Sequence, residues 1–261
     1  MTSSTPWSIL EPGKRKKMHK RREIFLVLVI LAVVFALPML AKAAPDVLWD
    51  QPSDGRNAIA SQYFPDFGSA GVYIADDFHI AHPYNIAFDI EFIFVDGNMG
   101  YSGGLVNANS LNWVIYPDAV GVPGGYPDIG GELWSHSCLP SAPEVTFSGA
   151  NSDQVTLDVV RAQGSPLHLT LGTYWLCFYP SLNFMPYGQW HWDTAGTINL
   201  ASARFIDPSA MMSSYTSWAP WPMIDGATYD AVFRLEGTQE RSPEFGAGVA
   251  RGRIGGGGGC R

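Results

Sequence analysis

The chain has 261 residues, is 46% hydrophobic and carries a formal net charge of −8, but its charge is distributed unevenly. Residues 44–238 hold four arginines, no lysine and 20 of the 24 acidic residues, which gives this stretch a net charge of −16. Such a surface disfavours nucleic acids and anionic membranes as partners. It is compatible with divalent cations, neutral polysaccharides or a basic partner, and equally with a charge that serves solubility alone.

The first 43 residues have the three parts of a secretory signal peptide. A basic cluster over residues 14–22 leads into the apolar segment from Ile24 to Leu40, and a small-x-small cleavage site follows at residues 41–43. We therefore predict a cleaved signal peptide over residues 1–43 and an extracellular or cell-surface location. Two alternatives stay open: an uncleaved N-terminal anchor, and a start at Met18 that makes residues 1–17 an upstream extension.

Residues 44–238 are predicted to form one β-domain. Apolar and polar residues alternate along residues 86–94, 155–159 and 229–236, which is the two-residue period of half-buried strands. Clusters of Gly, Pro, Asn and Asp separate these runs, and no stretch sustains a 3.6-residue apolar period. The predicted fold class is all-β: an antiparallel two-sheet β-sandwich, jelly-roll-like, after the N-terminal signal segment.

Four aspartates early in the domain form the best candidate metal site. Asp50, Asp54, Asp76 and Asp77 supply oxygen ligands of the kind that a structural Ca²⁺ ion prefers. Neighbours on a strand point to opposite faces, so Asp76 and Asp77 line one pocket only if a bulge intervenes. The alternative is that Asp77 caps or pairs within the edge of the sandwich. No zinc-ligand spacing is present among the histidines of the domain, His79, His82, His136, His168 and His191.

No catalytic motif can be assembled from the sequence. The chain lacks a Gly-x-Ser-x-Gly elbow, and nothing identifies a second carboxylate that would complete a glycosidase pair. We therefore predict a protein that is not an enzyme, with a secreted hydrolase whose site the sequence does not show as an alternative.

Two cysteines, Cys138 and Cys177, lie in the domain. An oxidising compartment permits a disulfide between them, and this pairing is the prediction. Two buried free thiols would look the same in sequence, so that alternative stays open.

Aromatic residues in the second half of the domain are candidates for stacking on sugar rings. The predicted ligand-binding residues are Tyr187, Trp190, Trp192, Trp218 and Trp221. Trp190 and Trp192 are two positions apart and are expected to share one strand face, whereas Trp218 and Trp221 bracket an Ala-Pro dipeptide typical of a loop. The alternative is that these rings belong to the core, where most tryptophan surface is buried.

Residues 239–261 are predicted to be a flexible Gly-rich tail, because the five consecutive glycines before Cys260 favour no single conformation. The glycine run and Cys260 resemble the front of Gly-rich, Cys-containing sorting signals on bacterial surface proteins, which continue into an apolar membrane helix. That helix is missing here, which indicates a truncated sorting signal or, alternatively, a frameshifted or unrelated stretch.

Several short phrases of the domain, taken in order, resemble a known kind of module. They are ADDF at 75–78, YPD…GVPG at 116–124, GTYWL at 172–176, Trp190-x-Trp192, and YDAVFRLEG at 229–237. This order resembles a secreted bacterial β-sandwich module of exported proteins with C-terminal sorting signals, such as the PEP-CTERM type, over residues 48–238. The resemblance implies a fold and an exported location, and it brings no catalytic residues with it.

The function predicted from these features is that of a non-enzymatic exported binding module at the cell surface or in the extracellular matrix, with carbohydrate as the expected ligand. A structural or adhesive surface protein without a small ligand is the alternative. The expected partner is a polysaccharide or a surface protein and not a nucleic acid. Contact with a membrane is expected only through the signal segment or a missing C-terminal anchor.

Overall fold

The computed structural model of the protein describes residues 44–68, 70–81, 85–99, 104–196, 198–220 and 228–241. Strand accounts for 57% of the structure and helix for 7%, in several packed layers, which confirms the predicted all-β sandwich class. The predicted signal peptide and the glycine run of the tail lie outside the described residues. Within the described ranges, no helix combines the length and the apolar composition that crossing a membrane requires.

The described strands form three sheets. The six-stranded sheet contains β1 (Asp46–Gln51), β5 (Asn85–Val95), β9 (Val145–Ser148), β10 (Gln154–Asp158), β11 (Leu167–Thr170) and β17 (Phe233–Arg241). The seven-stranded sheet contains β3 (Gln62–Phe64), β4 (Ala70–Ile80), β7 (Ser110–Pro117), β8 (Trp134–Cys138), β12 (Gly172–Ser181), β14 (Arg204–Ile206) and β15 (Ala219–Pro220). A four-stranded sheet, which the two-sheet prediction did not include, contains β2 (Ser53–Ala60), β6 (Gly97–Met99), β13 (Trp190–Ala195) and β16 (Asp230–Ala231). The helical elements are a 3₁₀ turn (Leu105–Asn107), α1 (Val159–Gln163) and α2 (Phe184–Tyr187).

The strand orders place particular strands at the sheet edges. The six-stranded sheet runs β1-β17-β5-β10-β9, with β11 also paired to β5. The seven-stranded sheet runs β15-β14-β4-β3-β12-β7-β8, and β4 also pairs directly with β12. The four-stranded sheet runs β16-β13-β2, with β6 paired to β13. Strands β8 and β9 are therefore both edge strands, one in each of the two larger sheets.

A single apolar core lies between the sheets and contains side chains from all three. On β4, Val72, Ile74 and Phe78 belong to this core, whereas Tyr73 and Ala75 belong to a second cluster on the opposite face. The alternation follows from the two-residue period of a strand. The seven-stranded sheet is thus covered on its outer face as well as on its inner face.

An aromatic group connects the four-stranded sheet to this core. The ring centroid of Phe178 lies 5.0 Å from that of Trp113 and 5.0 Å from that of Trp190. The ring of Trp192 lies 6.2 Å from that of Trp190, and all four side chains are fully buried. These edge and tilted contacts hold β13 against the inner side of the seven-stranded sheet.

Strand β5 departs from the sequence pattern halfway along its length. Strict alternation over residues 86–94 predicts that Phe94 shares the apolar face of Phe88. Instead, Phe88 and Ile93 are buried and Phe94 is only half-buried. A register shift against β17, beside Gly237, adds one residue to β5 and so reverses the facing of every residue beyond it.

Candidate functional site

The outer face of the seven-stranded sheet carries the candidate site. Side chains that point away from the main core form a second apolar cluster there, which includes Tyr73, Tyr116, Trp175 and Cys177. Residues 118–133 connect β7 to β8, and this β7–β8 loop packs against the same face through its tyrosine, Tyr126. A pocket can therefore form between the loop and the sheet.

Two side chains of the last third of the domain hold the β7–β8 loop. The indole Nε1 of Trp218 donates a hydrogen bond to the carbonyl oxygen of Gly125 at 2.7 Å. The Nη2 of Arg204 donates to the carbonyl oxygen of Gly121 at 2.8 Å, and its guanidinium lies over the Trp175 ring at 5.8 Å. Because both bonds are made to backbone carbonyls, they fix the course of the loop.

A cavity of about 440 Å³ lies between the β7–β8 loop and the sheet. Tyr126 and Tyr179, both half-buried, provide aromatic surface, and Asp128 and Glu132 bring two carboxylates from the loop. Tyr116 also lines the cavity, but its side chain is fully buried. No lysine or arginine is found among the described residues that line it. Asn112, Ser135 and Ser137 add polar side chains to the lining. His136 also borders the cavity, but it lies opposite the core residue Trp113, so its side chain is on the inner face of β8.

Internal hydrogen bonds set the positions of these polar groups. Asn112 accepts a bond from Ser137 Oγ at 2.7 Å and donates one to the carbonyl oxygen of Tyr179 at 3.1 Å. The hydroxyl of Tyr73 donates to Asp128 Oδ2 at 3.3 Å. Burial raises the pKa of the Tyr73 and Tyr179 phenols above the usual range, so both remain neutral hydroxyls. The cavity thus combines aromatic faces with hydrogen-bonding groups suited to a ligand rich in hydroxyls.

A second group of polar side chains is buried beneath this face, around Asp76. Oδ2 of Asp76 accepts hydrogen bonds from Gln51 Nε2 at 2.9 Å and from the backbone N–H of Ala231 at 2.7 Å. Asp77 and Asp230 are also buried, and Oδ1 of each has no hydrogen-bond partner among the described residues. Asp76 faces the main core, and Asp77 faces the second apolar cluster on the outer side of the sheet. The two side chains thus point to opposite faces, as predicted for neighbours on a strand.

Burial raises the pKa of all three carboxyl groups. The pKa of Asp77 is raised to about 7 and that of Asp230 to about 6, and the pKa of Asp76 lies well above its usual range. The negative charges of Asp230 and Asp77 raise the pKa of Asp76 further. Asp230 was missed by sequence reasoning, since β16 meets β4 only in the folded chain. These groups retain protons at mildly acidic pH.

The four aspartates predicted to bind Ca²⁺ are not brought together. Asp50 lies on β1 of the six-stranded sheet, and Asp54 lies on β2 of the four-stranded sheet, where its Oδ1 accepts from Thr194 Oγ1 at 2.9 Å. Asp76 and Asp77 lie on β4 of the seven-stranded sheet. No three of these described residues place carboxylate oxygens within 4.8 Å of one another. The predicted four-aspartate site is therefore wrong as a set.

The predicted aromatic platform is also separated by the fold. Trp190 and Trp192 share one strand face, but that face is the core, and rings without exposed surface cannot stack on a ligand. Their prediction as ligand-binding residues is wrong for this reason. Trp218 is half-buried and holds the β7–β8 loop. Tyr187 is half-buried against the main core, away from the cavity lining, and Trp221 lies outside the described residues.

The predicted disulfide does not form, and both Cys138 and Cys177 are free thiols. Cys177 lies opposite Val114 of β7 and belongs to the outer cluster, whereas Cys138 lies opposite Leu111 of β7 and packs against the inner core. The two thiols therefore lie on opposite faces of one sheet with β7 between their strands, which excludes disulfide geometry. Burial raises the pKa of both thiols, that of Cys138 to about 11.

Comparison of the chain with protein-family models, with curated proteins and with solved structures finds no match in any of the three.

Proposed function

We propose that this chain is an exported, non-enzymatic β-sandwich module that binds a carbohydrate in the cavity under the β7–β8 loop. The observation that carries the proposal is the lining of that cavity. Tyr126 and Tyr179 offer aromatic faces on which C–H groups of a sugar ring can pack, and serine, asparagine and carboxylate groups can bond its hydroxyls. The signal-like segment over residues 24–43 supports export.

The charge of the site favours a neutral ligand over an anionic one. Asp128 and Glu132 contribute negative charge to the lining, and no described cationic side chain offsets them there. A sugar without acidic groups meets no repulsion in this cavity, whereas a phosphate or a uronic acid does. The carboxylates accept hydrogen bonds from hydroxyls, and such charge-assisted bonds are stronger than neutral ones.

Hydrolysis of a glycosidic bond is the second candidate function, because two carboxylates line one cavity. Glycosidases place a general acid and a second carboxylate on opposite sides of the scissile bond. Here Asp128 and Glu132 both come from the loop, and among the described lining residues no carboxylate comes from the sheet on the other side. The lack of a described carboxylate on the sheet side favours binding over cleavage. Release of reducing sugar that Glu132→Gln abolishes would overturn this preference.

Retention on insoluble polysaccharides tests the proposal. The purified chain is expected to be retained on a neutral glycan, and Tyr126→Ala is expected to weaken retention about tenfold, the loss of one aromatic contact. Tyr187→Ala is the matched control, because Tyr187 is a half-buried tyrosine that does not line the cavity. Equal retention of Tyr126→Ala and the wild-type chain would place any binding elsewhere. Failure to bind any neutral glycan would favour the structural or adhesive alternative.

A further inference from the structure

Three side chains of metal-binding type converge at one open edge of the sandwich. His136 and Cys138 lie on β8, two positions apart, and Glu144 comes directly before β9. One imidazole nitrogen, the thiol sulfur and one carboxylate oxygen all lie within 4.8 Å of one another. Within the described ranges, this is the one group of three His, Cys, Asp or Glu side chains that meets this distance.

The position of the group in the fold is specific. β8 is the last strand of the seven-stranded sheet and β9 is the last strand of the six-stranded sheet. His136 lies opposite Trp113 and Cys138 lies opposite Leu111, so both share the strand face that looks into the main core. The group therefore spans the gap between the two larger sheets at an edge where no further strand of the described ranges pairs with β8 or β9.

Neighbouring residues fix the His136 ring and the backbone of Glu144. The imidazole of His136 stacks on the Trp134 ring, with centroids 6.3 Å apart and planes inclined by 15°. The backbone carbonyl of Glu144 accepts a hydrogen bond from the N–H of Asp158 at 2.8 Å. The side chains of His136 and Glu144 are only 19% and 14% exposed, so the group is largely shielded from solvent.

The imidazole nitrogen that faces Glu144 has no hydrogen-bond partner in the described part of the chain. Nε2 of His136 is buried, and it lies 3.4 Å from Oε1 of Glu144 without the alignment of a hydrogen bond. Two ligand atoms bound to one tetrahedral zinc ion at about 2.1 Å are themselves about 3.4 Å apart. The observed separation is thus the one that two ligands of a common ion adopt.

We propose that His136, Cys138 and Glu144 bind a Zn²⁺ ion that joins the edges of the two larger sheets. Imidazole nitrogen, thiolate sulfur and carboxylate oxygen are the three ligand types that zinc takes in proteins, and a thiolate disfavours calcium and magnesium. The fourth position of the tetrahedron is left to water or to an external ligand. The site lies on the inner face of the sheet and does not depend on carbohydrate binding at the outer face.

Metal titration of the full chain tests the proposal. The experiment uses the full chain with the substitution Cys260→Ser, so that the tail thiol cannot bind metal. A chelator first removes any bound metal from this protein. We expect one Zn²⁺ per chain, a higher Tm in the presence of zinc, and a thiolate-to-cobalt charge-transfer band when Co²⁺ replaces zinc. Cys138→Ser is expected to abolish that band. Glu144→Gln is expected to weaken zinc binding at least about tenfold, because substituting even a residue that only supports a metal ligand costs that much affinity.

Two matched variants separate this site from adventitious binding. Cys177→Ser removes the other thiol of the domain. His168→Gln removes a histidine whose Nδ1 lies 2.8 Å from Oδ1 of Asp89, a pair that belongs to no group of three metal-binding side chains among the described residues. Both are expected to bind zinc like the parent. A cobalt band that survives Cys138→Ser, or an affinity that Glu144→Gln leaves unchanged, overturns the proposal. Should Cys138→Ser fail to fold by circular dichroism, the conservative Glu144→Gln variant decides alone.

Discussion

Gln51 reaches across the sandwich to Asp76. Its Nε2 donates a hydrogen bond to Oδ2 of Asp76 at 2.9 Å, and both side chains are fully buried. Gln51 ends β1 in the six-stranded sheet, and Asp76 lies on β4 in the seven-stranded sheet. The Oε1 of Gln51 also accepts from Trp49 Nε1 at 2.7 Å. One amide group thus satisfies a carboxylate and an indole on two sheets.

Gln51→Leu is expected to lower the free energy of unfolding by about 1–3 kcal/mol, because it removes a buried donor and leaves the carboxylate short of a partner. Urea denaturation measures the change. Gln163→Leu is the control: Gln163 is exposed and also accepts a bond from an indole, that of Trp134. That variant is expected to stay within about 0.5 kcal/mol of the parent. Equal effects of the two substitutions would contradict a special role for the buried amide.

Asp77→Asn is expected to remove part of the pH dependence of stability. The pKa of Asp77 is raised to about 7 in the fold from an ordinary 3.8, so the folded protein keeps a proton that the unfolded chain releases. Stability from this group is therefore greatest below about pH 4 and falls as the pH rises to about 7. At about 1.4 kcal/mol per pKa unit, the loss is on the order of 4 kcal/mol.

Denaturation of the parent and of Asp77→Asn across this pH range measures that loss as the difference between two curves. Relative to the parent, the variant is expected to gain stability with rising pH. Parallel curves would mean that Asp77 is already ionised in the folded protein at mildly acidic pH.

Trp192→Ala is expected to destabilise the fold by about 3–5 kcal/mol, the usual cost of emptying a tryptophan site in a core. Trp192 is fully buried, and its Nε1 donates to the carbonyl oxygen of Val232 at 2.7 Å. Thermal or urea unfolding provides the measurement. If Trp192→Ala abolished glycan retention and left the free energy of unfolding unchanged, Trp192 would be a ligand-binding residue and not a core residue.

Trp218→Phe is expected to loosen the β7–β8 loop without unfolding the domain. The substitution keeps an aromatic ring but removes the bond to the carbonyl oxygen of Gly125. We expect faster amide hydrogen exchange over residues 121–133, weaker glycan retention, and a global loss of no more than about 1.5 kcal/mol. In the control variant Trp134→Phe, the lost bond is one to Gln163 outside the loop, so exchange in the loop is expected to stay unchanged.

A reducing agent is expected to leave the Tm of the Cys260→Ser protein unchanged, because Cys138 and Cys177 are not linked. Thiol labelling in denaturant, without reductant, is expected to count two free thiols. Labelling of the folded protein is expected to spare Cys177, which is fully buried. A count of zero in the unreduced, denatured protein would establish the disulfide instead.

Much of the strand content could be predicted from local periodicity, because alternation is a property of neighbouring residues. The bulge in β5 could not, since it depends on how Gly237 of the partner strand meets that strand. Any side chain at Gly237 would collide with the backbone carbonyl of Asp89, and the glycine permits this approach. The pattern over residues 86–94 therefore predicts a strand correctly and assigns half of its side chains to the wrong face.

The sites were harder to predict for the same reason. Spacing correctly places Trp190 and Trp192 on one face, but only the packing of three sheets decides that this face is the core. His136 and Cys138, two positions apart on a strand, are a usable signal for a shared face. The third member, Glu144, joins them only because two sheet edges meet. Tertiary proximity of this kind leaves no fixed spacing in a sequence.

The antiparallel pairing of β1 with β17 brings Asp46 opposite Gly237, so the first and last strands of the domain are neighbours. The two ends of the domain therefore lie side by side, and joining them does not require any strand to change its partner. A short linker from residue 241 back to residue 45, with new termini in an exposed turn, would keep every hydrogen-bonded ladder of the six-stranded sheet. Circular permutation is thus compatible with this topology.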